Sequence, residues 1–588
     1  MSSEQNFSSW PVPKLHYLLA FLLGFLFIYC SYVGLPFDFS SDYAECIHYA
    51  EQFSFKKLLS LTLNPFTPGW FFIDEIVFLR PLTILFFKFN EYAFGVGAKS
   101  FIITEAISCG LLSSLFFHVV YQCGNKIYAF FSVILYLSFP PIFFSTISFP
   151  HMEYLNTILR MSSVILFGYL TLKPISSKAK HISDLLVFYF LVLCTIKLRS
   201  SDKLLPLFFI SFLILNVKSI FRNIGKKKYF SLLFLLLFML TSVVPIRFKE
   251  IEAAHLNIPK TAEQKEAQIR SIHLKNIYGA VIYYPNSKKG EFPFLTFSKH
   301  TSPRSLSESY GISCWFFWGF LVASFFLIKK ITPNDKTDDE NLLFLKHFFK
   351  LLLLLTFAFS FTFFSDFVYL DARYLSFILV PSVMVFILSI LIFENTILKK
   401  RGEVLKLYSL RWFGFLFFRA IVLSFITFTV VTNFRFYTTY LRLFGGATYA
   451  FAEAAKKVYV DLYRKEPEGH DLYLSFSNLY ENNMLIDWYD SYADHAKEIA
   501  ARPPQELYIL SRGKDGPKCF QRIEPEEAQV CSNDAFHALH KSFTLMDEVN
   551  YLDAPPIGFR TLKAVRSVKN KQNDDKIYIY KAPLVKQI

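Results

Sequence analysis

Apolar runs of near-bilayer length follow one another along this chain, broken by short clusters of charge. Tyr17 to Tyr32, Phe230 to Pro245 and Ala372 to Phe393 are apolar almost all round, unlike the one-sided helices of a soluble protein. A helix needs roughly 20 residues to cross a hydrocarbon core about 30 Å thick. Lipid offers no partner to a bare backbone N–H or C=O, so these segments are predicted to be helices. The pattern predicts eleven of them, near 17–37, 96–120, 127–147, 154–172, 184–198, 203–217, 229–246, 311–328, 348–366, 374–394 and 413–432. The predicted fold class is a polytopic α-helical membrane protein.

Charge orients the array. Lys173, Lys178 and Lys180 share one loop, and Lys218, Arg222, Lys226, Lys227 and Lys228 share another. Lys329, Lys330, Lys346 and Lys350 flank a third, and Lys399, Lys400, Arg401 and Lys406 lie in a fourth. With eleven spans all four fall on the side of the N-terminus, and loops rich in Lys and Arg stay cytoplasmic. Those loops largely account for the net charge of +15, which therefore says little for nucleic acid as a partner. The expected setting is a bacterial inner (cytoplasmic) membrane. No signal-peptide n-region precedes the first run and Gly34-Leu-Pro-Phe is a poor cleavage site, so the run is expected to persist as a span.

Residues 38–95, residues 247–310 and everything from 433 onward are then exported, the first two as loops of a transmembrane domain over 1–432. Residues 433–588 are enough for a small soluble domain. Asp471-Leu-Tyr-Leu-Ser-Phe and Glu506-Leu-Tyr-Ile-Leu read as strands, and Thr561 to Val568 with Lys576 to Tyr580 suggest a further strand pair. The Ala-rich stretch from Tyr449 to Tyr463 reads as a helix, so an α/β or α+β domain is expected. Its only cysteines, Cys519 and Cys531, could close a disulfide in an oxidising compartment or stay as two thiols.

Polar groups at the exported ends carry the candidate chemistry. After the first span comes Asp38-Phe-Ser-Ser-Asp42-Tyr-Ala-Glu45, in which Asp42 and Glu45 can share one face of a helix capped by Ser41 or Asp42. The pair can be no more than a hydrated first turn. Held within about 3 Å of a hydroxyl, a carboxylate there could instead take its proton. Arg80 precedes Pro81, a residue suited to the first turn of a helix, and the aromatic stretch from Trp70 fits the membrane interface. Arg199 lies in the basic turn Lys197-Leu-Arg199-Ser-Ser-Asp202-Lys203, on the side that charge bias should leave poor. Arg247 follows the seventh span, and Asp371-Ala-Arg373-Tyr374 opens the tenth with Asp371 positioned to cap it. Guanidinium groups bind phosphate through paired, charge-assisted hydrogen bonds, so the four arginines define a candidate anion site. Each could equally be a headgroup anchor. His151 and Glu153 occupy another exported turn, either touching substrate or serving as ordinary loop residues.

The sequence holds no P-loop, Rossmann glycine fingerprint, zinc-spaced His/Cys cluster or His-Glu-x-x-His, so soluble nucleotide chemistry gains no support. In the order and common sidedness of its elements the chain resembles the GT-C membrane glycosyltransferases that use polyprenyl-phosphate sugars. These include the protein O-mannosyltransferase-like and aminoarabinose-transferase-like enzymes. The resemblance covers roughly residues 15–432 and rests on four elements: Asp42 with Glu45, Arg80-Pro81-Leu82, Leu198-Arg199-Ser-Ser-Asp202-Lys203, and Asp371-Ala-Arg373-Tyr374-Leu. It implies that Asp42 is the catalytic carboxylate, that Glu45 supports it or binds acceptor, and that Arg199 and Arg373 hold the lipid-linked phosphate. Two residues separate Asp42 from Glu45, where the family has an adjacent Asp-Glu pair.

The implied reaction moves a sugar from a polyprenyl-phosphate-linked donor to a hydroxyl of a glycan, lipid or protein acceptor. A divalent cation is compatible with it and not demanded by it. The domain from 433 onward would recognise the acceptor. A transporter or flippase of a lipid-linked saccharide is one alternative, and an oligosaccharide polymerase or ligase another. The sequence has no internal repeat or paired broken helices of the kind many transporters show, and a large exported domain favours an enzyme.

Overall fold

A computed structural model describes residues 13–33, 53–64, 71–73, 77–79, 81–94, 98–123, 126–138, 153–172, 177–198, 205–256, 322–328, 340–366, 372–394 and 412–431, with shorter pieces at 434, 449–450, 453–454, 457, 473–477, 506–511, 544–550, 557 and 576–583. Helices dominate: α1 Pro13–Tyr32, α2 Phe55–Leu63, α3 Pro81–Phe94, α4 Ala98–Gln122, α5 Lys126–Ser138, α6 Glu153–Leu172 and α7 Lys178–Leu198. After them come α8 Leu205–Leu215, α9 Val217–Ile224, α10 Lys226–Leu256, α11 Glu340–Asp366, α12 Ala372–Phe393 and α13 Trp412–Val431. Among the described residues five helices are long and apolar enough to cross a membrane: Lys14–Tyr32, Ile102–Gln122, Tyr154–Leu172, Lys178–Leu198 and Trp412–Val431. A sixth arises if α8 and α9 count as one span, although they meet at 87°. The length and composition of these helices are compatible with a helical membrane protein.

Small residues set a close helix contact. Ala20 and Gly24 on α1 face Ala106, Cys109, Gly110 and Ser113 on α4, all buried. A Cβ on Gly24 would stand 2.6 Å from the Cys109 carbonyl oxygen, and one on Gly110 would stand 2.8 Å from the Phe21 ring. Helices in lipid gain little from hydrophobic exclusion, so such close backbone approach and its dispersion contacts replace it. Ser114 reinforces the contact by donating to the Tyr17 carbonyl at 3.2 Å. Leu, Ile and Val fill most of the core, and aromatic stacks lie among them, with Phe167 on Phe209 at 4.3 Å and Phe344 on Phe348 at 4.2 Å.

Three local features depart from the sequence expectation. The predicted span over 203–217 ends at Leu215, and the chain turns at Asn216 into the short helix α9. The helix of the seventh span continues through Pro245 to Leu256, so Arg247 belongs to it and does not begin a loop. The aromatic stretch near Trp70 forms a two-stranded antiparallel ladder, β1 Phe71–Ile73 with β2 Val77–Leu79, with Phe72 opposite Phe78. Pro81 opens α3, where its missing N–H costs nothing.

The chain divides into two compact units, one of residues 1–28, 54–86 and 104–437, the other of residues 29–53, 87–103 and 438–588. The second contains a four-stranded sheet in the order β3-β4-β6-β5, built from β3 Tyr473–Ser477, β4 Glu506–Ser511, β5 Thr544–Asn550 and β6 Lys576–Pro583. β3 and β4 run parallel, and β6 is antiparallel to both β4 and β5. The strand beginning at Lys576 therefore pairs with β4 and β5, where the sequence suggested Thr561 to Val568, a stretch outside the described residues. The described positions of the expected Ala-rich helix, Tyr449, Ala450, Glu453, Ala454 and Lys457, are helical. Cys519 and Cys531 lie outside the described residues.

Candidate functional site

Polar bridges show which helix ends share a level in the first unit. Tyr17, near the start of α1, is 2.7 Å from Nδ1 of His118, near the end of α4, and Nε2 of that ring is 2.8 Å from the hydroxyl of Tyr169, near the end of α6. A neutral imidazole has one donor and one acceptor nitrogen, so one tyrosine hydroxyl accepts from the ring and the other donates to it. Two residues on, the Thr171 hydroxyl is 2.8 Å from Nε2 of His347 on α11 and within donating distance of the Phe167 and Gly168 carbonyls of its own helix. Lys350 of α11 donates to Oδ1 of Asn216 at the α8–α9 turn at 3.4 Å. His181 near the start of α7 reaches Ser231 near the start of α10 at 3.0 Å. Arg419 of α13 binds Glu394 just after α12, and Tyr128 at the start of α5 donates to the same carboxylate at 3.4 Å.

The ends of α4, α6, α8 and α12 thus meet the starts of α1, α5, α7, α10, α11 and α13. Lys126, Lys178, Lys180, Lys218, Arg222 and the Lys226–Lys228 run all lie at this end, which we call the basic end. The complementary helix termini of the same unit, including the start of α6, the end of α7 and the start of α12, make up the far end.

Most of the sequence candidates adjoin far-end termini. Arg373 and Tyr374 are in the first turn of α12, and Arg247 is in the last third of α10; for these three the backbone alone is described. Asp371 immediately precedes α12, Arg199 immediately follows α7, and His151 precedes α6 by two positions. These three, together with Asp42, Glu45 and Arg80, lie outside the described residues.

A polar stripe that sequence reasoning did not single out is described in full. On α6, Asn156, Thr157, Arg160 and Ser163 follow helical spacing and are all buried, with Arg160 only 1% exposed. Arg160 is about 10 Å along the axis from the first residue of α6, well inside a span-length helix. α6 packs against α7, α9, α11 and α12, so the stripe faces protein and away from lipid. Lys197, one residue before the end of α7, is also buried, as is Glu105 in the second turn of α4. Glu105 interacts electrostatically with Tyr136 near the far end of α5. A charged side chain at membrane depth is costly and as a rule serves a ligand, an ion path or a partner charge. The signal was present in the sequence: a single arginine seven residues into a largely apolar span, with Thr157 three and Asn156 four positions before it.

Among the described residues no group of three or more His, Cys, Asp or Glu side chains could hold a metal ion. No protein-family model matches the chain, and no curated protein matches it.

Proposed function

We propose that the chain is an inverting glycosyltransferase of GT-C type, moving a sugar from a polyprenyl-phosphate donor to a hydroxyl acceptor. In this reading it crosses a bacterial inner membrane eleven times and works on the exported side, with a small α/β or α+β domain after residue 432 that receives the acceptor. The observation that carries the reading is the buried polar stripe on α6, with its single arginine. Arg160, flanked by Asn156 and Thr157, sits at far-end membrane depth. Arg199 and Arg373 adjoin far-end termini of the same unit. A lipid-linked phosphate is an anion that reaches this depth while its tail stays in the bilayer.

Cleavage at the sugar C1 leaves its bonding pair, and hence negative charge, on the departing lipid phosphate. Guanidinium groups that bind this charge more strongly as it develops lower the barrier and do more than improve binding. Asp42 takes the proton of the acceptor hydroxyl as its oxygen forms the new bond to C1 from the opposite face, so the configuration inverts. Glu45 supports Asp42 or binds acceptor, and Arg80, Arg247, Asp371, Tyr374 and His151 line the approach.

One observation favours the transporter alternative, the 87° break between α8 and α9. Transporters of that design pair two broken helices at a midplane site. Among the described residues this break has no counterpart, and it lies at the basic end, so the enzyme reading is preferred. Reconstituted protein given polyprenyl-phosphate sugars and an acceptor mixture decides between them. A new glycosidic bond of inverted configuration is expected; donor movement between leaflets with no bond made would establish the flippase instead. Mass spectrometry of envelope glycans from cells lacking the gene then identifies the sugar and acceptor.

A further inference from the structure

The turn between α8 and α9 builds a surface that loop charge alone does not explain. Asn216 has φ −117° and ψ 21°, and α9 leaves α8 at 87°, so α9 lies across the basic end of the bundle. Ile220 and Ile224 are its buried side, while Lys218 and Arg222, four positions apart, are exposed. Gly225 then adopts φ +80°, a conformation that side chains disfavour, and nothing lies within 4 Å of where its Cβ would be. That turn starts α10 with Lys226 and Lys227, both exposed. Phe221 of α9 meets the ring of Tyr229 edge-on at 4.5 Å, which ties α9 to the first turn of α10.

Apolar side chains border these four cations. Ile214 and Leu215 at the end of α8 are 60% and 73% exposed, and Phe230 and Phe234 at the start of α10 are 57% and 73% exposed. α8 and α10 pack together. No Asp or Glu occurs anywhere from residue 203 to residue 249. We propose that α9 and the start of α10 form a binding site for an anionic phospholipid, with Lys218, Arg222, Lys226 and Lys227 around the headgroup and the acyl chains along Ile214, Leu215, Phe230 and Phe234. Clustered Lys and Arg beside a span attract anionic headgroups additively. An apolar rim next to the charge selects a lipid over a free anion. The site is independent of the proposed glycosyl transfer and lies at the opposite end of the unit.

The test uses the full chain purified in detergent, with retained lipid read by native mass spectrometry after exposure to phosphatidylglycerol or phosphatidylcholine of identical chains. Wild type should retain phosphatidylglycerol at least about tenfold over phosphatidylcholine, and K218Q/R222Q/K226Q/K227Q should lose that preference. The milder K226Q/K227Q should reduce it several-fold, whereas K178Q/K180Q, which removes two exposed lysines at the start of α7, should leave it unchanged. Equal retention of the two lipids, or equal loss in K178Q/K180Q and K226Q/K227Q, would overturn the site. Displacement of phosphatidylglycerol by inorganic phosphate alone would also overturn it, because the surface would then be a free-anion site.

Discussion

At the scale of single residues, burial separates charges that anchor from charges that act. Lys218, Lys226 and Lys227 are exposed at the basic end, where water and headgroups solvate them, and replacing one should change little. Arg160 is 1% exposed, so its charge interacts with whatever shares its interior surroundings. If it helps hold the donor phosphate, Arg160→Lys keeps the charge but loses the planar fork. Turnover should then fall at least about tenfold, equivalent to about 1.4 kcal/mol of transition-state stabilisation. Arg373→Lys should behave in the same way, and steady-state assays with a purified polyprenyl-phosphate sugar measure both. A loss of folding in Arg160→Lys with unchanged turnover per folded molecule would make Arg160 structural and leave Arg199 and Arg373 as the phosphate groups. Arg160 is read less easily from sequence than Arg373 because a lone arginine inside a long apolar run adds little to the average character of the segment.

At the scale of elements, the helices were legible because lipid permits few alternatives, and the breaks were not. Asn216 ends α8 without proline or glycine, in a run that stays apolar through Leu215, so the turn has no punctuation to read. The strand β5 escaped for the opposite reason: Thr544-Leu-Met-Asp-Glu-Val-Asn lacks alternation, and its burial is confined to its end. The close α1–α4 contact makes a direct prediction. Gly24→Val would force side-chain atoms against the Cys109 carbonyl and should lower stability by about 1–3 kcal/mol. Gly414→Ala, which meets nothing within 4 Å, should match or exceed wild type in a thermal melt in detergent. In the second unit Lys457 donates to Asp547 at 2.6 Å and holds its carboxyl below the usual carboxylate range. A carboxylate with a lowered folded pKa stabilises above its unfolded pKa, and that contribution is lost as pH falls through the folded value. Both groups are half exposed, so Asp547→Asn should cost less than about 1 kcal/mol at neutral pH. Amide exchange across β5 should differ between wild type and variant at neutral pH and converge in acid.

At the scale of the whole molecule, the polar bridges do what loop charges alone could only suggest. They bring helix ends 50 to 176 residues apart in sequence to one level, and those ends carry the basic clusters at 178–180, 218–228 and 346–350. The proposed orientation makes that level cytoplasmic. A reporter active only outside the cytoplasm should therefore be active when fused after residue 440 and silent at 226; the reverse pattern would invert the account. The residues that bear the proposed chemistry were named from motif order, and the fold contributes their relation to helix termini more than their side-chain geometry. That Arg160, Lys197 and Glu105 turn inward is settled only once burial is known, because sequence shows a polar residue in a span but not which face of the span turns inward.

The central claim is that Asp42 serves as general base in glycosyl transfer. Its most direct test is the single-turnover transfer rate of Asp42→Asn, which preserves shape while removing the proton affinity of the carboxylate, measured beside donor binding. The account predicts a fall of roughly 10²-fold or more in the chemical step with donor binding retained. Near-normal transfer by Asp42→Asn, with Glu45→Gln inactive, would exchange the two roles. Near-normal transfer by both variants would contradict the mechanism.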